Sequence, residues 1–366
     1  MRVLHILNGL HAAGIEALAL QLIRHAPPGV ENLLLNTDRS QQAIAPAIQQ
    51  LQQQGHLSSF REWSRCDGLH LAWRSFRFCC QQRPTALLIY PCNRPMLWLA
   101  LGARLAGVRR SAVAVQNTAP LQPSEHRVWQ RLLIWFQRLG VVAVPCTNAI
   151  ASSLQPLPKG LRLGAVIPNG CDTQAISQEA SISRQQRPPG DRQRIIMVAR
   201  LDPIKDQATL LHAFAAIAPR HPDWDLWLVG DGCDRDRLES LAQSLGLDPA
   251  TIFLGRSSDI PTLLGKADLF AFSTTDAEGF GIALIEAMAA GLPIVASDVP
   301  ACREVLLEGQ AGLLVPPGDR FAWQQTLDRL LSNPADRQHW AQKAQAIAPT
   351  YDIQHTAQQW YQRLQA

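Results

Sequence analysis

Apolar positions along the chain fall into two alternating patterns. Short, nearly continuous runs are RVLHILN, ENLLLNT, ALLIY, SAVAVQN, VVAVPC and LGAVIP, and these predict strands. Between them ALALQLIRHA, APAIQQLQQQ, MLWLALGARLA and VWQRLLIWFQRL repeat apolar residues every three or four positions and predict helices. Strands apolar on both faces, separated by helices, predict a buried parallel sheet of the α/β class. The first run reads as a strand rather than a leader. His5 and Asn8 interrupt its apolar stretch, and GIEALALQLI continues as an amphipathic helix.

The polar stretch TQAISQEASISRQQRPPGDRQ, residues 173–193, predicts a linker from its Ser, Gln, Pro and Gly content. The alternation then restarts with RIIMVAR, DLWLVG, TIFLG, DLFAFST and PIVAS as strands, and with helices from Gln207, Asp234, Ile260 and Ile282. The expected organisation is a doubly wound domain over 1–172, the linker, a second doubly wound domain over 194–350 and a closing helix over 351–366. In open parallel sheets a ligand sits beyond the carboxyl ends of the strands, so a cleft facing both sheets is the expected site.

Composition narrows the function. The 366 residues suit two domains at roughly 100–200 residues each. With 47% hydrophobic and 17% charged residues, a sizeable core is expected and global disorder is excluded. A formal charge of +4 gives no reason to expect a nucleic-acid partner. The eight cysteines include no C-x-x-C pair, which suits reduced thiols in a cytoplasmic protein. No run of about 18 apolar residues is present to span a membrane.

The candidate chemistry lies in the second half. The strand DLFAFST leads into a loop holding Glu278, Gly279, Phe280 and Gly281, and Ile282 opens the helix IALIEAMAA, which Gly291 and Pro293 end. The glycines let backbone N–H groups approach a ligand, and the helix N-terminus favours anions and polyols. Glu278 in the loop and Glu286 one turn into the helix are carboxylates able to accept hydroxyl hydrogen bonds. Either could equally be a helix-dipole acid or a surface residue. Arg200 and Lys205 bracket the loop after RIIMVAR, where a pyrophosphate would meet two cations, or where two solvated cations would simply sit. Gly230, Asp231 and Gly232 form a further turn after DLWLV.

Taken together, VARLDPIKDQATLLHAFA, LVGDG, FLGRSSDIPTLLGKADLF, EGFGIALIEAMAAGLPIVASD and AGLLVPPGD resemble, in order and spacing, family 4 of the retaining GT-B glycosyltransferases. AGIEALAL and VIPNGCD resemble it more loosely in the first half. The resemblance implies two Rossmann-like domains, the first for the acceptor and the second for a nucleotide-diphosphate sugar. It implies that Arg200 and Lys205 hold the diphosphate and that Glu286 accepts from the ribose hydroxyls. Glu278 would contact the transferred sugar, aided by the N–H groups of Phe280 and Gly281. Gly279, Ile282 and Gly230 would complete the donor pocket, Ile252 to Leu254 would line the base, and Gly14 would let the first loop approach the phosphates. Catalytic roles fall to Glu278, Arg200 and Lys205, with no metal and no cofactor beyond the co-substrate. Many relatives carry a His where this chain has Gln116 and Asn117, which would contact the sugar in its place.

Two basic aromatic segments, 69–83 and 126–140, have Trp, Phe and Arg at helical spacing. They predict either core-packing helices or peripheral contact with the inner face of a membrane, which would suit a lipid-linked acceptor. Competing readings are a nucleotide-sugar epimerase on the same architecture and a sugar-nucleotide-binding chain without activity. A nicotinamide dehydrogenase is disfavoured because GLHAAGIE is not G-x-G-x-x-G, and the same loop lacks the Lys-Ser/Thr of a P-loop.

Overall fold

The computed structural model describes residues 1–9, 14–38, 45–64, 68–90, 92–120 and 122–365. The chain divides into two compact units, Met1–Gly170 with Ile353–Ala366, and Cys171–Asp352.

In the first unit, strands β1 (Arg2–Leu7), β2 (Glu31–Asn36), β3 (Ser59–Glu62), β4 (Ala86–Ile89), β5 (Arg110–Val115) and β6 (Val141–Pro145) alternate with helices. The helices are α1 (Gly14–Arg24), α2 (Ala45–Gln53), α3 (Gly68–Gln82), α4 (Arg94–Leu105), α5 (Pro123–Arg138) and α6 (Asn148–Ser153). The strands form one parallel sheet in the order β3-β2-β1-β4-β5-β6. The stretch LGAVIP, expected as a strand, contributes only an isolated bridge between Leu163 and Ala143.

The second unit opens with α7 (Thr173–Gln185), then β7 (Gln193–Val198), α8 (Gln207–Ile217), β8 (Trp224–Val229), α9 (Arg235–Ser244), α10 (Pro249–Ile252) and β9 (Phe253–Gly255). It continues with α11 (Ile260–Gly265), β10 (Leu269–Phe272), α12 (Ile282–Ala289), β11 (Ile294–Ser297), α13 (Pro300–Val305), β12 (Leu313–Val315), α14 (Arg320–Ser332) and α15 (Pro334–Ile347). Its parallel sheet runs β12-β11-β10-β7-β8-β9. Read from the β9 edge, this is the strand order of the first sheet.

Residues 173–193 are not a linker. Asp172 accepts from the Ala175 N–H at 3.0 Å and starts α7, which buries Ile176, Ala180 and Ser183. These residues recur at helical spacing, so one face is committed to packing whatever the Ser and Gln content of the others. The contact with α11 is backbone-close: a Cβ on Gly265 would lie 2.4 Å from the Ala180 carbonyl oxygen.

The terminal helix α16 (Ile353–Gln365) belongs to the first unit. It buries Trp360, Tyr361 and Leu364 in the core that also holds Val3, Leu22 and Leu88. There His5, in the middle of β1, is fully buried, with Nδ1 2.8 Å from the Tyr90 hydroxyl and Nε2 3.1 Å from Asn32 Oδ1. The Tyr361 hydroxyl lies 3.0 Å from both Asn32 Oδ1 and the Leu22 carbonyl. Burial lowers the His5 pKa to about 4 against the opposing bond to Asn32, so the ring stays neutral.

Candidate active site

Strand order places the site. β7 and β10 are neighbours in the second sheet, but the chain leaves them in opposite directions, β7 towards β8 and β10 towards β11. In open parallel sheets such a switch in strand order leaves a crevice at the carboxyl ends of the two strands, towards which helix N-termini point. The loop after β7 carries Arg200 and Lys205, and the loop after β10 carries Glu278.

Both loops are built by short-range hydrogen bonding. Asp202 Oδ1 accepts from the Ile204 N–H at 3.1 Å and closes a 3-10 turn, Pro203–Lys205. Asp206 follows with φ 41° and caps α8 through the Thr209 N–H at 3.4 Å. Gln207 Nε2 donates back to the Arg200 carbonyl at 2.7 Å. The neighbouring loop is pinned across the crevice: the Thr275 N–H donates to the Ile204 carbonyl at 2.9 Å, and Ser273 Oγ donates to the Lys205 carbonyl at 3.2 Å.

The crevice then brings opposite charges together. Lys205 Nζ donates to Glu278 Oε2, and both side chains are largely buried. Nζ also lies 5.1 Å from the centre of the Phe272 ring. Glu278 Oε1 accepts from the N–H groups of Gly279 at 3.1 Å and Phe280 at 3.4 Å. The Thr274 hydroxyl stands 3.2 Å from Oε2 and 3.0 Å from the Ile204 carbonyl. Burial raises the Glu278 pKa, but Lys205 and the N–H donors outweigh it and hold the carboxyl below its ordinary value.

Gly281, at φ 81°, starts α12 without a side-chain cap. A Cβ there would press at 3.1 Å on both Leu284 and the Phe272 ring. Phe280 is buried, its ring edge-on to Tyr351 at 6.0 Å, so its side chain serves packing. Ile282 is the first residue of α12. Glu286, one turn in, is half-buried with no hydrogen-bond or ion-pair partner for its side chain among the described residues. Desolvation by its surroundings raises its pKa to about 7.

The remaining candidate residues are placed less uniformly. Arg200 is 63% exposed and meets Asp202 at 3.6 Å, so its guanidinium stays outside the buried pair. Gly230 and Gly232 have a packing duty: a Cβ on them would lie 1.9 Å from the Ala199 carbonyl oxygen and 2.1 Å from that of Leu201. The turn after β8 thus lies backbone to backbone on the Arg200 loop. TIFLG is not one strand. Ile252 ends α10 and is buried, and only Phe253–Gly255 pair with β8, leaving Leu254 39% exposed. The Asp248-Pro249 start signal wins here, since Asp248 accepts from the Ala250 N–H at 3.0 Å.

Gly14 is the exposed first residue of α1, and the loop before it, 10–13, lies outside the described residues. Gln116 spends both ends of its amide on Asn169, accepting at 2.7 Å and donating at 3.0 Å. Asn117 is exposed. Sequence reasoning passed over Asn169, Thr274 and Ser273. The signal for the last two was available, since SerThrThr directly follows an apolar strand.

Comparison with known proteins matches residues 178–347 to the model of "Glycosyl transferases group 1". Those residues span nearly all of the second unit, which is similar to this family. A phosphatidyl-myo-inositol mannosyltransferase of Mycobacterium tuberculosis is 36% identical over 200 residues, 53% of this chain and 51% of that protein. An exopolysaccharide phosphotransferase of Streptomyces coelicolor is 36% identical over 167 residues, 45% of this chain and 18% of that protein. The chain therefore spans about half, or less, of the length of these relatives. The crystal structure of Anabaena HepE in complex with UDP and glucose matches over 100% of both chains with a TM-score of 0.81 and 21% identity. Two parallel six-stranded units with this match give the GT-B fold.

Proposed function

We propose that this chain transfers a hexose from a nucleotide-diphosphate sugar to a glycan or lipid-linked acceptor, with retention at the anomeric carbon and without a metal. The observation that carries the reading is the Lys205–Glu278 pair at the switch-point crevice, with the Gly279 and Phe280 N–H groups turned onto the same carboxylate. Lys205 is the cation for the departing diphosphate, and exposed Arg200 is free to swing onto its outer oxygens. As Lys205 turns to phosphate, Glu278 is released to accept from hydroxyls of the transferred sugar. The Phe280 and Gly281 N–H groups then face the donor. Glu286, raised to about 7 and without a partner, has a carboxylate to spend on the ribose hydroxyls. Gly230 and the Ile252–Leu254 backbone frame the phosphates and base.

The nucleotide diphosphate leaves through an oxocarbenium-like state and the acceptor hydroxyl attacks the same face. The crevice acts through charge fixed before the reaction begins. Mannosyltransferase relatives and a fold neighbour holding UDP and glucose support a hexose donor. The free cysteines suit a reducing, cytoplasmic setting. One observation favours a second reading, a nucleotide-sugar-binding chain without transfer: Gln116, standing where many relatives carry a His, is already engaged by Asn169. Incubation with UDP-, GDP- and ADP-sugars and a panel of glycan and lipid-linked acceptors separates the two. Acceptor-dependent release of a nucleoside diphosphate is expected. Donor binding with no release under any acceptor selects the second reading.

A further inference from the structure

The first unit carries an outward face that the sugar chemistry does not use. Successive right-handed crossovers put α3, α4 and α5 in one layer on its sheet. The layer is tightly built: a Cβ on Gly102 of α4 would lie 2.1 Å from the Ala72 carbonyl oxygen of α3, and Ser75 Oγ donates to the Leu99 carbonyl at 2.8 Å. Its inner residues, including Leu71, Phe78, Leu99, Leu133 and Phe136, are buried in the core. The two basic aromatic helices thus pack on the sheet and also present a second, outer stripe.

That outer stripe is apolar where a solvated face should be polar. Leu69 and Trp73 of α3, Leu105 of α4, and Val128 and Trp135 of α5 are all more than half exposed. On α3 the exposed apolar positions are four residues apart, and on α5 they are seven apart, so each set lies along one side of its helix. Arginines interleave with them: Arg77 on α3 and Arg131 and Arg138 on α5 are exposed, with the Arg138 guanidinium 4.8 Å from the centre of the Trp135 ring.

Charge identifies the occupant. Residues 68–140 contain ten arginines, no lysine and one acidic residue, Glu125, although the whole chain has a formal charge of only +4. The positive charge is therefore concentrated here, and the rest of the chain is net acidic. Separate tryptophans and leucines set among arginines, rather than one contiguous apolar patch, match a shallow interfacial layer with anionic headgroups above it. No helix among the described residues is long and apolar enough to cross a membrane.

We propose that the outer face of α3–α5 docks the first unit onto the surface of an anionic lipid bilayer, through Trp73 and Trp135 and the arginines around them. This rests on the exposed face and its charge, not on the donor reading, and its test uses neither donor nor acceptor. The full chain is sedimented with vesicles of phosphatidylcholine alone and of phosphatidylcholine with phosphatidylglycerol, at low and high salt. Binding only to the anionic vesicles, weakened by salt, is expected. Replacing Arg77, Arg131 and Arg138 together by Gln should weaken it about a hundredfold, at roughly fivefold per arginine. Trp73→Ser with Trp135→Ser should weaken it at least tenfold, by loss of apolar burial. Exposed positions leave folding intact, which an unchanged Tm verifies for each variant. No binding to anionic vesicles at low salt, equal binding to both vesicle types, or unchanged binding of the triple arginine variant overturns the proposal.

Discussion

The two units share one strand order and put their polar groups to opposite uses. In the first, His5, Asn32, Tyr90 and Tyr361 close on one another inside the core, neutral and mutually satisfied. In the second, the strands at the switch are apolar and the charges stand on the loops beyond them, Lys205 against Glu278, with Glu286 left unpartnered. A buried polar network with every member occupied fixes a fold, here by tying α16 to β1 and β2. A paired charge at a crevice mouth stores an interaction that a ligand can take over. The topology is the same, so function lies in what the loops carry.

The sharpest way to break this contrast is Lys205→Ala. It leaves the largely buried Glu278 carboxylate unpaired, which should destabilise the second unit by about 3 kcal/mol. Loss of its charge-assisted contact to the donor, about 1.5–3 kcal/mol, should lower sugar transfer ten- to a hundredfold. Denaturant unfolding and kcat/KM measure the two losses. A variant as stable and active as the parent removes the pair from the account.

Acid should separate the units next. His5 binds its proton near pH 4 when folded and near 6.5 when unfolded, so the unfolded state takes up protons first. First-unit stability is therefore full above about pH 6.5 and falls by about 3 kcal/mol on the way to pH 4. The Glu278 carboxyl is also shifted down, but it starts from the lower carboxylate range. Its contribution is full above the ordinary carboxylate pKa and is lost only as pH falls towards the depressed folded value. Hydrogen exchange across pH 4 to 7 should show β1, β2 and α16 opening before the β7 and β10 loops. Simultaneous opening contradicts the contrast.

Gly232→Ala tests the framing of the crevice. Its Cβ would meet Leu201 backbone, so the Arg200 loop must shift, at about 2 kcal/mol. Gly190→Ala, where φ is 78° and the space is open, should cost about 1 kcal/mol and leave the loop in place. Equal Tm losses for the two variants would show that strain at φ, not loop contact, sets the effect.

The smallest expected effect belongs to Glu286. Protonated below about pH 7 in the free protein, it accepts from the ribose hydroxyls more strongly once ionised, when both oxygens are charged acceptors. Donor affinity should rise several-fold between pH 6 and 8, and Glu286→Gln should flatten that rise. A wild-type affinity independent of pH denies the role.

Much of this was legible in the chain because local signals agreed. Gln207, Ile260 and Ile282 open helices as read, each behind a distinct stop: Asp206, Asp259 and left-handed Gly281. Lys205 and Glu278 stood out because each follows an apolar strand. Their direct contact was not legible, since it depends on β7 and β10 being neighbours across 73 residues of sequence. Helix α7 was hidden by Ser and Gln on its outer faces, and β3, with the half-buried sequence SFRE, has no apolar run to show it. The outer face of α3–α5 was ambiguous for a related reason. Trp, Leu and Phe at helical spacing look the same whether they face core or solvent, and here different residues of the same helices do each.

The most direct measurement of the central claim is calorimetric titration of UDP, GDP and ADP into the wild-type chain and into Lys205→Ala. At least one nucleoside diphosphate should bind the wild type, and the variant should bind it ten- to a hundredfold more weakly. Binding of none of the three, or equal affinity in the variant, would contradict a diphosphate site at the Lys205–Glu278 crevice.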